Sequence, residues 1–308
     1  MSKLKVSIAP HISYPRTTRN IMLDVLIALA PAAIAGTIIF GLRSLAVIAA
    51  CVASAVLSEF LFCLITKRKQ TYTDLSAAVT GLLLALNLPA TTPIWQAVIG
   101  SVFAVICVKC LFGGIGQNFA NPAITARIFM LISFASVGQA AAPTVVDTVS
   151  GATPLEQLSA GNAVSLTDLL LGVRGGAIGE TCIIALLVGG VYLVVRRVIK
   201  VYTPVAYVLT VFLITLIAEK GDLVASLAWI MSGGLILGAI FMATDYATTP
   251  VSALGKIVFG VGAGLITALI RFYGSYPEGV SFAILIMNIL TPYIDRFTVR
   301  KPFGGDVK

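Results

Sequence analysis

The sequence predicts an all-α polytopic membrane protein of ten transmembrane helices arranged as two inverted five-helix repeats. Three observations carry that expectation. Only 11% of the 308 residues are charged and 58% are hydrophobic, where a soluble domain has about 25% charged. The apolar residues collect in ten runs, most near the ~20 residues a membrane helix needs. The basic residues gather between alternate runs, as topology signals do.

The chain opens on a basic arm, residues 1–20, with Lys3, Lys5, Arg16 and Arg19. No cleavable signal peptide is read there, because the first apolar run is long and lacks a small-residue cleavage pattern. The spans follow at 21–40, 45–65, 75–88, 94–112 and 121–137, forming the first repeat over 21–137. An outer loop occupies 138–178. The second repeat, 179–295, holds spans at 179–197, 204–218, 226–244, 255–272 and 279–295, and a cytoplasmic tail covers 296–308. With the N-terminus inside, the inner segments contain Lys3, Lys5, Arg16, Arg19, Lys67, Arg68, Lys69, Lys109, Arg196, Arg197, Lys200, Lys256, Arg296, Arg300, Lys301 and Lys308. Those are sixteen of the 21 basic residues, so both termini are expected in the cytoplasm of a bacterial inner membrane and residues 138–178 on the outer face.

The repeat rests on an echo. Thr80 to Asn87, running on to Ala90-Thr91-Thr92-Pro93, is matched by Gly233 to Ile240, running on to Ala247-Thr248-Thr249-Pro250. Each copy is the third span of a five-helix half, one leaving the membrane outside and the other inside. Inverted repeats with short or broken helices are a transporter architecture.

Several function classes fall away on composition. The net charge of +8 is spent on topology, which sets nucleic acid aside. The five cysteines, Cys51, Cys63, Cys107, Cys110 and Cys182, sit in apolar runs, unlike a disulfide framework. Cys107 and Cys110 have CxxC spacing, read as two small apolar side chains on one helix face. The sole histidine is His11, so no histidine cluster exists for haem or metal, and no Gly-x-Gly-x-x-Gly unit exists for NAD.

Polar residues at membrane depth remain to be explained. Gly113-Gly114-Ile115-Gly116-Gln117-Asn118-Phe119-Ala120-Asn121-Pro122 separates spans four and five. Asn118 and Asn121 lie three apart at a helix start opened by Pro122, where both amides can face one ligand. Asp74 opens span three, Asp245 closes span eight and Asp295 closes span ten, all on the inner side. Carboxylates there suit an ion path, and these three are the ion-path candidates. Asp24, Glu59 and Glu180 are further acids with nothing in the sequence to separate them.

The most informative stretch is Asp147-Thr148-Val149-Ser150-Gly151-Ala152-Thr153, a polar run in the outer loop. Asp-x-x-Ser-Gly-Ala-Thr is similar to the signal at which bacterial flavin transferases join FMN, through its phosphate, to the final Thr hydroxyl, here Thr153. Together with Phe112 to Ala123 and Met242-Ala243-Thr244-Asp245, it resembles, over essentially the whole chain, the family formed by the D subunits of Rnf complexes and the B subunits of sodium-pumping NADH:quinone reductases. One departure is local: Tyr246-Ala247-Thr248-Thr249 stands between Asp245 and Pro250-Val251-Ser252, where the homologue runs directly from Asp into Pro-Val-Ser.

The resemblance implies a flavoprotein subunit of an ion-translocating (Na+ or H+) ferredoxin:NAD+ oxidoreductase that does not itself bind NAD. It implies covalent FMN at Thr153, with Asp147, Ser150, Gly151 and Ala152 as the attachment motif, and non-covalent riboflavin at Asn118 and Asn121. The partners implied are the A, B, C, E and G subunits of an Rnf complex, a flavin transferase and membrane lipid. The competing class is a small-solute permease without a redox cofactor, in which Asn118 and Asn121 line the substrate path. A purely structural membrane anchor would leave the intramembrane acids without a purpose.

Overall fold

A computed structural model describes residues 16–68, 70–134, 137, 153–162, 164–274 and 279–298. Among the described residues the chain is helical: α1 Thr18–Phe40, α2 Leu42–Ile65, α3 Ser76–Leu86, α4 Ile94–Cys110, α5 Pro122–Ser133, α6 Pro154–Ser159, α7 Leu166–Leu171, α8 Ile183–Val195, α9 Tyr202–Ala218, α10 Leu223–Met231, α11 Leu235–Met242, α12 Ala253–Tyr273 and α13 Val280–Thr298. Four of these (α1, α2, α12 and α13) are long and apolar enough to cross a membrane. A fifth crossing is available if α10 and α11, bent by 65° at their junction, count as one broken span. Five more helices of 10–17 residues are apolar but short. The chain is thus a multi-pass membrane protein, and its inside-out surface agrees: Ile38, Ile65, Val195 and Ile217 are among many exposed aliphatics, as lipid contact requires.

Helix ends differ from the apolar runs because capping, not hydropathy, sets them. Thr17 caps α1, Ser252 caps α12 and Asp222 caps α10, each accepting a backbone N–H of the first turn. α1 and α10 therefore begin three residues earlier than their apolar runs. The span read over 226–244 is two helices, because Ser232-Gly233-Gly234 interrupts it and Gly233 takes φ +66°. Arg271, at the end of α12, closes the break by donating to Trp229 O at 2.6 Å and Ser232 O at 3.0 Å, the carbonyls that a terminating helix leaves free.

α3 and α8 are half-helices. Eleven residues of α3 rise about 17 Å at 1.5 Å each, little more than half of a ~30 Å hydrocarbon core. All eleven are buried. The turn at its end pairs with the segment leading into α8: Gly179 N donates to Leu86 O at 2.8 Å and Ile178 N to Leu88 O at 3.0 Å. Arg174 adds bonds to Glu180 O and Thr181 O. Non-helical backbone at such depth is tolerated only when protein satisfies it.

Small residues bring the long helices together. A Cβ on Gly189 of α8 would lie 2.0 Å from Ala28 O of α1, and one on Gly81 of α3 would lie 2.7 Å from Cys51 O of α2. Gly260 and Gly264 do the same for α12 against Thr203 and Tyr207 of α9. Backbone cannot retreat from such contacts without separating the helices. Gly189→Leu is expected to lower the stability of the detergent-solubilised chain by about 1–3 kcal/mol, read by fluorescence-detected size-exclusion after heating, whereas Val191→Ala on the exposed face of the same helix leaves it within about 0.5 kcal/mol.

Candidate functional site: a cavity and a capped threonine

A cavity of about 800 Å³, including its open mouth, lies where α1, α3, α4, α8 and α11 converge with the segment before α5. Its wall is mostly apolar, including Met22, Val79, Leu83, Leu193 and Phe241. The polar groups on it are few: Lys109, Asn118, Asn121, Thr244, Asp245, Tyr246, Ser76 and Thr80. The lining matches a small-molecule site, which is typically apolar with a handful of placed polar atoms.

The glycine-rich approach forms one side. Gly113, Gly114 and Gly116 take φ of +117°, +99° and +85°, conformations open to glycine. They turn the chain sharply enough to set Asn118 against the cavity and start α5 at Pro122. The two asparagines, expected to act alike, do different work. Asn121 is buried and caps α5, its Oδ1 accepting from Ala123 N at 3.0 Å and Ile124 N at 3.4 Å. Its Nδ2 donates to Met242 O at 3.5 Å, and the Asn288 amide, oriented to satisfy both neighbours, accepts from Asn121 N at 3.1 Å. Asn118 Oδ1 is buried with no hydrogen-bond partner. An unsatisfied buried acceptor costs about 1–3 kcal/mol, so this atom is the one that a ligand donor would relieve.

The three acids separate as well. Asp245 lines the cavity, its carboxylate accepting from Ala247 N and Thr248 Oγ1, each at 3.3 Å. Asp74 reaches it only through Ser76, whose N and Oγ donate to Asp74 Oδ1 at 2.8 and 2.6 Å. Asp295 accepts from Val251 N at 3.0 Å and is not on the cavity wall. Asp24 is held by Arg196 Nη2 at 3.1 Å and Tyr192 Oη at 3.0 Å, joining α1 to the end of α8.

The charge at the centre of this region is not visible in the sequence. Lys109 and Glu59 form an ion pair at 2.8 Å with 2% and 1% of their side chains exposed. In the sequence Lys109 reads as a topology signal because it sits near the end of an apolar run. Its position on the π-helical last turns of α4, Phe103–Cys110, turns it inward instead. Arg127 reads as a stray basic residue outside the inner segments. It is buried within α5 and donates to Asn87 Oδ1, while Asn87 Nδ2 donates to Leu83 O at 2.7 Å and lies 3.6 Å from Met242 Sδ.

Thr153 is half-buried at the start of α6. Its Oγ1 accepts from Glu156 N at 3.1 Å and Glu156 Oε2 accepts from Thr153 N at 2.7 Å, a complete capping box. Pro154 and Leu155 are buried, and α6 packs on α10, so the hydroxyl is fixed relative to the helical body. Asp147, Ser150, Gly151 and Ala152 lie outside the described residues. All five cysteines are free, and no group of three or more metal-ligating side chains occurs among the described residues.

A family model described as the NQR2, RnfD, RnfE family matches residues 5–304. The chain belongs to this family. Among individual members of the NQR2, RnfD, RnfE family, it is 46% identical over 307 residues to the D subunit of the Na(+)-translocating ferredoxin:NAD(+) oxidoreductase complex of Acetobacterium woodii, covering 98% of this chain and 95% of that protein. It is 38% identical over 319 residues to the D subunit of the proton-translocating ferredoxin:NAD(+) oxidoreductase complex of Clostridium ljungdahlii, covering 97% and 96%. With the D subunit of the ion-translocating oxidoreductase complex of Escherichia coli (strain K12) it shares 33% over 345 residues, covering 97% and 98%.

The division of labour between the asparagines predicts two different outcomes. Asn121→Ala should cost about 1 kcal/mol of thermal stability through the lost cap, and Asn118→Ala should leave stability unchanged or slightly raised, both measured on the solubilised chain.

Proposed function

We propose that this chain is the membrane flavoprotein subunit of an ion-translocating ferredoxin:NAD+ oxidoreductase. In this reading FMN is joined through its phosphate to Thr153 on the outer face, and a second flavin without a covalent link, riboflavin, occupies the inner cavity. The reading is supported by family membership over nearly the whole chain and by relatives named as the D subunits of such complexes. The single observation that carries it is Thr153 itself: a half-buried hydroxyl, fixed by a capping box, at the end of Asp-x-x-Ser-Gly-Ala-Thr.

The flavins would supply one-electron redox chemistry, and the protein the rest. Asn118 Oδ1 would accept from an imide N–H of the ring, and the apolar wall would exclude water. Asp245 on the same wall, with Asp74 and Asp295 nearer the inner surface, would draw a cation toward the region where negative charge arrives. The coupling ion is Na+ or H+, as relatives of both kinds are named.

The ten-span topology belongs to the same proposal. α10 with α11 and the nine helices α1–α5, α8, α9, α12 and α13 fall on the ten apolar runs. α1 packs on α8 and α5 on α13, pairing the first and the last helix of each half, an arrangement that an inverted repeat about an axis in the membrane plane would give. Both termini would be cytoplasmic in a bacterial inner membrane. The partners would be the A, B, C, E and G subunits of an Rnf complex, with a flavin transferase modifying Thr153.

The test is in-gel flavin fluorescence of the denatured, purified chain beside Thr153→Ala, expressed in a host with a flavin transferase. A fluorescent band at 32.2 kDa that disappears in the variant is the expected result. A dark wild-type band would remove the covalent flavin and bring the permease reading forward.

A further inference from the structure

Lys109 is one of two charged side chains on the cavity wall, Asp245 being the other. Its Nζ donates to Glu59 Oε1 at 2.8 Å and to Ser76 Oγ at 2.5 Å. An ammonium has three N–H groups, and these two bonds use two of them on a residue that lines the cavity. The hydroxyl of Ser76 passes on to Asp74 Oδ1. Glu59 Oε1 takes a second bond from Thr71 Oγ1 at 2.8 Å, while Oε2 has no partner. The pair is thus built asymmetrically, with one carboxylate oxygen bonded twice, the other bare, and the cation on a residue of the cavity wall.

Stability does not account for such an arrangement. Desolvating two charges costs about what their attraction returns, and apolar side chains of similar volume are often as good or better. A fixed cation beside a water-excluded pocket does have an electrostatic use. It favours whichever state of the occupant carries more negative charge, and hydrogen bonds from an ionised donor are about twice as strong as neutral ones.

We infer that Lys109 faces the ring system of the flavin in the inner cavity and raises its midpoint potential, and that Glu59 limits the rise by competing for the same ammonium. This rests on the flavin reading of the cavity given above. The step balances simply. One electron arrives from a neighbouring redox protein of the complex, no bond breaks, and the ring becomes one unit more negative. The third N–H of Lys109 then meets that charge with no proton transferred. Lys109 is the residue in contact with the flavin. Glu59 is a positioning residue, acting only through Lys109.

The pair gives opposite signs on removal, which a packing role would not. The full-length chain would carry Thr153→Ala, so that any flavin retained is the non-covalent one. It would be quantified after acid release and titrated spectroelectrochemically. Lys109→Met should weaken the preference for the reduced ring about tenfold, a one-electron midpoint about 59 mV lower. Glu59→Gln should shift the midpoint upward, because Lys109 is then fully available, and Lys109→Arg should restore most of the wild-type value. If Lys109→Met loses its flavin or fails to fold, Glu59→Gln decides alone: an upward shift supports the inference and an unchanged or lowered midpoint overturns it. Flavin present with all midpoints equal also overturns it while leaving the cavity reading intact. A chain that retains no flavin before either substitution overturns both.

Discussion

The structure depends on one constraint: a hydrocarbon layer offers no water, so every polar group that a broken helix exposes must find its partner inside the protein. Two breaks test it. At the end of α3 the carbonyls of Leu86 and Leu88 are met by the amides of Gly179 and Ile178. At the α10 to α11 bend, Arg271 reaches across from α12 to the carbonyls of Trp229 and Ser232. Straight helices would need neither. The breaks leave polar atoms in the interior of a chain whose outer surface is aliphatic.

From that constraint the placement of charge follows. Arg127, Asn87, Met242 and Asn121 touch in sequence from α5 through α3 and α11 to the cavity, so the buried polar groups of α5 and α3 connect to the cavity wall through Met242. Lys109 with Glu59 anchors that wall, and Asp245 faces it from α11's end. The short helix α6, with Thr153 at its cap, is braced on α10, the helix whose break Arg271 closes. The two proposed cofactor positions are thus joined through the same broken span.

Much of this was legible in the residues. The apolar runs located the helices, because burial in lipid imposes length and composition, and the glycine-rich run ending in Asn121-Pro122 located the start of α5. The Thr-Thr-Pro echo, read as a trace of the repeat, falls on two turn segments, Thr91 to Pro93 before α4 and Thr248 to Pro250 before α12. Boundaries were less legible, since a cap such as Thr17 or Asp222 lies outside the apolar pattern. The bend at Ser232-Gly233-Gly234 was hidden because its residues are apolar enough to pass within a run. Least legible was the separation of similar residues: Asn118 from Asn121, and Asp245 from Asp295, differ only in what distant helices bring to them. Lys109 was misplaced for the same reason, its inward turn being set by π-helical geometry that composition does not encode.

The central claim is that Thr153 and the inner cavity open on opposite faces of one membrane. In a chain freed of its five cysteines, Ser159→Cys beside α6 and Gln117→Cys beside Asn118 would each be treated with a membrane-impermeant maleimide, in intact cells and in inverted vesicles. The expected result is labelling of Ser159→Cys only in cells and of Gln117→Cys only in inverted vesicles. Labelling of both from the same side would contradict the claim.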